Sequence, residues 1–258
     1  MNVQNIPRKD KVVKLAFLPK LDALLFFDFK QIEPRLLAYF LAVSIGDTTL
    51  AHRISAGEDP YTVIVEGLYG RSDLTDEERQ TGKRLFLSLM YGGGTPTVIA
   101  QFGVDYKTAK SMTDQFHRAW PGVKMLADLI VDTARKRGYI KSITGRHLRL
   151  ESEHSAINTL MQGSAAEILR VSLERVHEYT ESNLMASHIV LNVHDEIIMD
   201  VVRPEIPELV TEVPRMMTDF PEINEIVPIE TDCEISWTNW AEKVPYEEDN
   251  ERVLERAG

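Results

Sequence analysis

The sequence predicts an α+β fold in which strands near the two ends of the chain enclose a helical block. Three observations carry this. The run "DALLFFDF" at 22–29 and the run "HIVLNVHDEIIMDV" at 188–201 read as buried strands, the second as a hairpin. Between them, apolar residues recur at helical spacing over most of the chain. Near the C-terminus, "PIETDCEISWTNW" alternates as a strand does.

Each element has its own local reason. In "QIEPRLLAYFLAVS" (31–44), Ile32, Leu36, Leu37, Phe40 and Leu41 share one helical face. Pro34 falls in the first turn, where a missing N–H costs little. A polar segment through "AGEDPYTVIVEGLYG" follows. It leads to "LTDEERQTGKRLFLSLMYGGG", which opens with a capping box, Thr75 and Glu78, and closes on glycines. Helical pattern continues to about Arg137, broken at Pro121-Gly122. "GYIKSITGRHLRL" reads as a short hairpin turning at Thr144-Gly145. Residues 153–182 read as one long helix, and "AEKVPYEEDNERVLERAG" as a loose or weakly helical tail.

The 258 residues suffice for one large domain or two subdomains. A hydrophobic fraction of 43% and a charged fraction of 27% fit a soluble globular chain without a membrane span or signal peptide. The single cysteine, Cys233, excludes an intrachain disulfide and fits a reducing compartment, the cytoplasm. The net charge of −11 opposes nucleic-acid binding by the chain as a whole, but says nothing of local patches.

Chemistry concentrates in three places. Asp28 ends one apolar strand, and Asp195 sits at the turn of the apolar hairpin. On neighbouring strands the two carboxylates meet at the sheet's rim, where they repel unless a cation lies between them. A few hard oxygen ligands, with positions left for water and phosphate, suit Mg²⁺. Taken singly, each aspartate also reads as an ordinary surface turn residue. Arg79, Lys83, Leu87 and Tyr91, four apart, form one helical stripe from two cations to an aromatic ring. That order matches phosphates, sugar and base of a nucleoside triphosphate, although a solvated basic edge reads equally well. Asn158 and Gln162 share a face of the long helix, and such amides can donate to minor-groove acceptors.

Together these stretches resemble family A DNA polymerases, the DNA polymerase I group. "DFKQIEPR" (28–35) resembles the family's first catalytic motif and "VHDEII" (193–198) its third. Arg79, Lys83, Tyr91 and Gly92 match the spacing of its fingers helix, and "INTLMQGSAAEI" (157–168) its primer–template segment. "NVQNIP" and "SWTNW" resemble the flanking segments, so the likeness spans about 2–240.

The resemblance implies a right-hand palm, a twisted antiparallel sheet with an inserted helical fingers subdomain. Palm would cover 1–45 and 151–243, fingers 46–150, and a charged tail 244–258. It implies DNA-templated nucleotidyl transfer from a dNTP to a primer 3′-OH. Asp28 and Asp195 would hold two Mg²⁺ ions, for which Mn²⁺ can substitute. His194 and Glu196 would sit near the primer end and the metals. Arg79 and Lys83 would bind the triphosphate, with Lys83 protonating pyrophosphate. Lys14, Tyr61, Leu87 and Tyr91 would lie about the incoming nucleotide, and Glu33 would exclude the 2′-OH. Asn158, Gln162 and Arg146 would contact the duplex.

Leu87, Tyr61 and His154 depart from the family's usual Phe or Tyr, His and Arg. "NVQNIP" follows Met1 directly, so the thumb and any exonuclease are expected from a second chain or an N-terminal region, as in a split or phage-type polymerase. A viral chain would then act in the host cytoplasm. Two other functions remain open, a single-subunit RNA polymerase and a non-catalytic DNA-binding or assembly subunit. Glu33 argues against the first and the intact Asp28, Asp195, Arg79 and Lys83 against the second.

Overall fold

The computed structural model describes residues 11–247, without the side chains of residues 68 and 154. "NVQNIP", the side chain of His154 and residues 248–258 of the tail lie outside that description. The chain runs α1 (Lys11–Leu15), β1 (Ala23–Phe29), α2 (Ile32–Ile45), α3 (Thr49–Ser55), α4 (Thr62–Tyr69) and α5 (Asp76–Met90). It continues through α6 (Thr95–Phe102), α7 (Tyr106–Ala119), α8 (Gly122–Arg137), β2 (Ile140–Lys141), β3 (His147–Leu148) and α9 (Ala156–Ser182). It ends with β4 (His188–Val193), β5 (Glu196–Val201), α10 (Ile206–Thr218), α11 (Pro221–Asn224), β6 (Thr231–Ser236) and β7 (Val244–Pro245). Two compact units result.

The first unit comprises Met1–Ile32, Ile168–Phe220 and Ile229–Gly258. Its core is an antiparallel sheet in the order β4-β5-β1-β6-β7. β1 lies at the centre and is buried on both sides, so it reads as a continuous apolar run instead of alternating. Strand alternation gives one face Leu25, Phe27, Ile197, Met199 and Ile235, all fully buried. Helix α10 packs on β6 and buries Leu209, Val213 and Met217. The other face carries Leu24, Phe26 and Ile198, packed with Trp240 and Phe17. The rings of Phe17 and Trp240 meet edge to face at 5.3 Å. The same face also carries Asp28 and Glu196.

The second unit comprises Glu33–Glu167 and Pro221–Pro228. The buried Arg35 donates to the Pro228 carbonyl and so ties the later segment to α2. The core is aromatic. Phe86 on α5 meets Tyr61, Phe116 and Trp120 edge-on, at centroid distances of 5.5, 5.7 and 6.3 Å. The capping box at α5 is present, with Thr75 accepting from the Glu78 amide and Glu78 from the Thr75 amide. The bond from the Thr75 amide first, and then one from Arg71, hold the Glu78 carboxyl below the usual range. The segment expected to be a polar connection instead folds over Thr62–Tyr69 as α4. Ile64 and Val65 bury one helical face there, and burial outweighs the weak helix preference of β-branched residues. The helical unit starts at Glu33 and runs through Glu167, so the expected fingers limits at 46 and 150 fall inside it. The expected tail begins as a strand, because Val244 and Pro245 extend the sheet alongside β6.

Candidate functional site

In the sheet unit, register creates a carboxylate rim. Asp28 lies opposite Glu196 on β5 and opposite Asp232 on β6. β4 and β5 are joined by the two-residue turn His194–Asp195, so Asp195 immediately precedes Glu196, the residue paired with Asp28. His194 takes a left-handed conformation, φ 56, which costs on the order of 1 kcal/mol in a non-glycine residue. The His194 side chain is exposed, while Asp195 and Asp28 are half-buried and Asp28 Oδ1 is shielded from solvent.

The flanking acids carry their own cations. Lys30 pairs with Asp232 at 2.9 Å. Lys243 donates to Glu196, lies 2.5 Å from Glu234 and sits 5.0 Å over the Phe26 ring. Burial alone would depress the Lys243 ammonium, but Glu196 and Glu234 outweigh it and hold its pKa above the ordinary lysine value. Sequence reasoning missed Lys243, which sits in a charged stretch that reads as tail. Lys14 lies 4.9 Å over the Trp240 ring. Among the described residues no cluster of three or more His, Cys, Asp or Glu side chains has metal-binding geometry. A two-carboxylate set completed by water and phosphate, as Mg²⁺ prefers, is compatible with that.

In the helical unit, Arg79, Lys83, Leu87 and Tyr91 are all half-buried along α5 and its C-cap. Arg79 Nε donates to Asp59 Oδ2 at 2.5 Å. Tyr61, 2% exposed, lies beneath both cations, its ring 5.8 Å from the Arg79 guanidinium carbon and 5.6 Å from Lys83 Nζ. Tyr91 donates its hydroxyl to Glu33. Burial, and then the Glu33 charge, push the Tyr91 phenol far above its ordinary pKa, so Tyr91 stays a donor. Glu33 and Tyr91, 58 positions apart, thus form one unit.

The same unit holds the residues expected on the duplex. The β2–β3 hairpin rests on α9, where a Cβ on Gly163 would come within 2.5 Å of Leu148. Glu167, 4% exposed, accepts from Arg146 at 2.8 Å and from Thr144 at 3.1 Å, fixing an arginine whose side chain is otherwise exposed. Gln162 is exposed, and the Asn158 amide oxygen is shielded and has no hydrogen-bond partner among the described residues.

The family model for DNA polymerase family A matches residues 1–242. DNA polymerase I of Lactococcus lactis subsp. lactis (strain IL1403) is 29% identical over 250 residues, covering 90% of this chain and 28% of that protein. The DNA polymerase of Mycobacterium phage D29 is 29% identical over 241 residues, covering 92% of this chain and 38% of the phage protein. This chain therefore spans well under half the length of either relative. The solved POL domain of Pol1 from M. smegmatis, in complex with DNA primer-template and dNTP, superposes with a TM-score of 0.80 at 27% identity, covering 93% of this chain and 44% of that one. A polymerase-domain fold and a match over nearly the whole sequence place this chain in DNA polymerase family A.

Proposed function

We propose that the chain is the palm and fingers of a DNA-templated DNA polymerase that transfers a nucleotidyl group from a dNTP to a primer 3′-OH. The observation that carries this reading is the β1–β5 register, which brings Asp28 and the Asp195 turn to one rim. Asp28 and Asp195 would hold two Mg²⁺ ions, with Mn²⁺ able to substitute. Bound there, the ions would supply charge neutralisation at the phosphoryl oxygens and a more acidic 3′-OH. Glu196 is already neutralised by Lys243, so it serves the rim by position and not as a third ligand. Arg79 presents a guanidinium fork and Lys83 a point charge to the triphosphate, and Lys83 Nζ carries a proton for the departing pyrophosphate. The Glu33 carboxylate, held by Tyr91, occupies the space a ribose 2′-OH would need. Arg146, Asn158 and Gln162 contact the duplex.

The net charge of −11 works against phosphate neutralisation, from which duplex affinity largely comes. Further cationic surface, a thumb from a partner chain or from another part of a longer protein, would share the grip on the primer–template. The test is primer extension with dNTPs and rNTPs in parallel. Template-directed dNTP addition with little rNTP addition supports the reading. Preferred rNTP addition would make the chain an RNA polymerase, and duplex binding without extension under any metal would make it a binding subunit.

A further inference from the structure

We infer that the Asp59–Tyr61 turn is the mount that orients Arg79 and Lys83 toward a polyphosphate, with Asp59 a positioning residue for the Arg79 fork. The inference rests on the reading of the α5 stripe as a triphosphate site, and assigns a role to residues on another element. Asp59 takes only Nε of Arg79. The two terminal nitrogens, which form the bidentate fork for phosphate, have no hydrogen-bond partner among the described residues. A carboxylate on Nε fixes the plane of the guanidinium without occupying that fork.

The mount is rigid from below. Asp59 Oδ1 accepts from the Tyr61 amide at 3.0 Å, and the Asp59 carbonyl accepts from the Thr62 amide at 3.0 Å and the Thr62 hydroxyl at 2.9 Å. Both carboxylate oxygens are therefore engaged, one in its own turn and one on Arg79. Tyr61 is locked edge-on against Phe86, and its ring lies within about 6 Å of both cations, close enough for the negative ring face to attract them. Helix α5 crosses this turn with no gap, since a Cβ on Gly82 would fall 2.1 Å from the Tyr61 carbonyl oxygen. An ion pair whose side chains keep 39% and 23% of their exposure adds little to folding. Its consequence lies in orientation.

The competing account makes Asp59 an anion that phosphate must displace. Two substitutions separate the accounts. Asp59→Asn removes the charge and keeps one acceptor oxygen of the two, enough for Nε with the Tyr61 amide bond given up, whereas Asp59→Ala removes the charge and both acceptors. The full chain is titrated calorimetrically with a dNTP and, separately, with inorganic tripolyphosphate. Positioning predicts that Asp59→Ala weakens both ligands about tenfold and that Asp59→Asn stays within about twofold of the parent. Tighter binding by both variants would overturn positioning in favour of displacement, and unchanged binding by Asp59→Ala would overturn it outright. A loss for the dNTP without a loss for tripolyphosphate would also overturn it. Arg79→Ala run alongside tests the underlying reading. If that variant binds tripolyphosphate as the parent does, the stripe is not a triphosphate site. If it fails while Asp59→Ala binds normally, only the role of Asp59 falls.

Discussion

The carboxylate rim of the sheet and the cation stripe of α5 solve the same problem with opposite signs. Each gathers like charges that repel, and each holds part of them with a counter-charge from elsewhere in its own unit. At the rim, Glu196 and Glu234 share Lys243, while Asp232 pairs with Lys30. On the stripe, Asp59 holds Arg79. The difference lies in range and burial. The rim is assembled by strand pairings between residues more than 150 positions apart, and Glu196 is nearly buried. The stripe needs only four-residue helical spacing and one partly exposed ion pair. The Lys243 ion pairs at the rim should therefore be coupled to folding, and the ion pair of the stripe to ligand binding.

The largest effect should come from removing a rim carboxylate. Asp28→Ala or Asp195→Ala should lower primer extension far more than tenfold, whereas Arg79→Ala should act first on the KM for dNTP and Lys83→Ala on both KM and kcat. Circular dichroism should show both rim variants folded, since each loses a repelling charge. Retention of more than about a tenth of the parent rate by either, a loss below about 1.4 kcal/mol, would remove the rim from the chemistry.

The second effect separates the regions by stability. Lys243→Met strands Glu196 and Glu234 without their cation, and should cost about 3 kcal/mol in urea unfolding, the low end for breaking a buried pair, because Lys243 keeps 25% of its side-chain exposure. Asp59→Ala should cost less, no more than about 2 kcal/mol for the exposed ion pair and the turn bond to the Tyr61 amide together. Adding Glu196→Gln to Lys243→Met should restore part of the loss. Equal costs at the two sites would erase the contrast. A third and narrower effect concerns sugar choice. Glu33→Ala frees the space beside Tyr91 and should reduce discrimination against rNTPs by at least about tenfold, read as the ratio of kcat/KM values.

What the sequence disclosed follows the same division between local and long-range order. The capping box at Thr75, the α5 stripe and the β4–β5 hairpin all rest on spacings of two to four residues, and all three are legible there. The meeting of Asp28 with the hairpin turn is conditional in the sequence on two strands being neighbours, which only the register decides. Lys243 was invisible because its partners lie 9 and 47 positions away, reached by a chain that turns through Trp240–Glu242 and adds the edge strand β7. Asp59 was hidden in a segment read as a polar connection, and only the burial of α4 shows why it faces Arg79. Helix α10 carries Pro207 and Pro214, the usual signals against a helix. Pro207 falls in its first turn, and its apolar face against β6 sustains it past Pro214.

The smallest effect uses Cys233 to ask how far the rim's field extends along β6. Cys233 pairs in register with Phe27, between Asp232 and Glu234 in sequence. Burial pushes its thiol up to about 12 from an ordinary 9.0, with Glu234 and Asp232 adding to the shift. The folded state thus holds this proton to higher pH than the unfolded chain does. Stability should be insensitive to the thiol below about pH 9 and should fall as pH rises from there toward 12. Lys243, whose pKa is also raised above 10.5, adds a loss in the same direction once pH passes that value. Cys233→Ala should flatten the decline between about pH 9 and 10 and leave the steeper part above it, where Tyr91 and then Lys243 contribute. At pH 8 the folded thiol should react with iodoacetamide at least about tenfold more slowly than the urea-unfolded chain, because the thiolate is the nucleophile. Equal rates in the two states would mean that neither burial nor the neighbouring carboxylates reach the sulfur. The electrostatics of the rim would then end at Glu234, where Lys243 neutralises it.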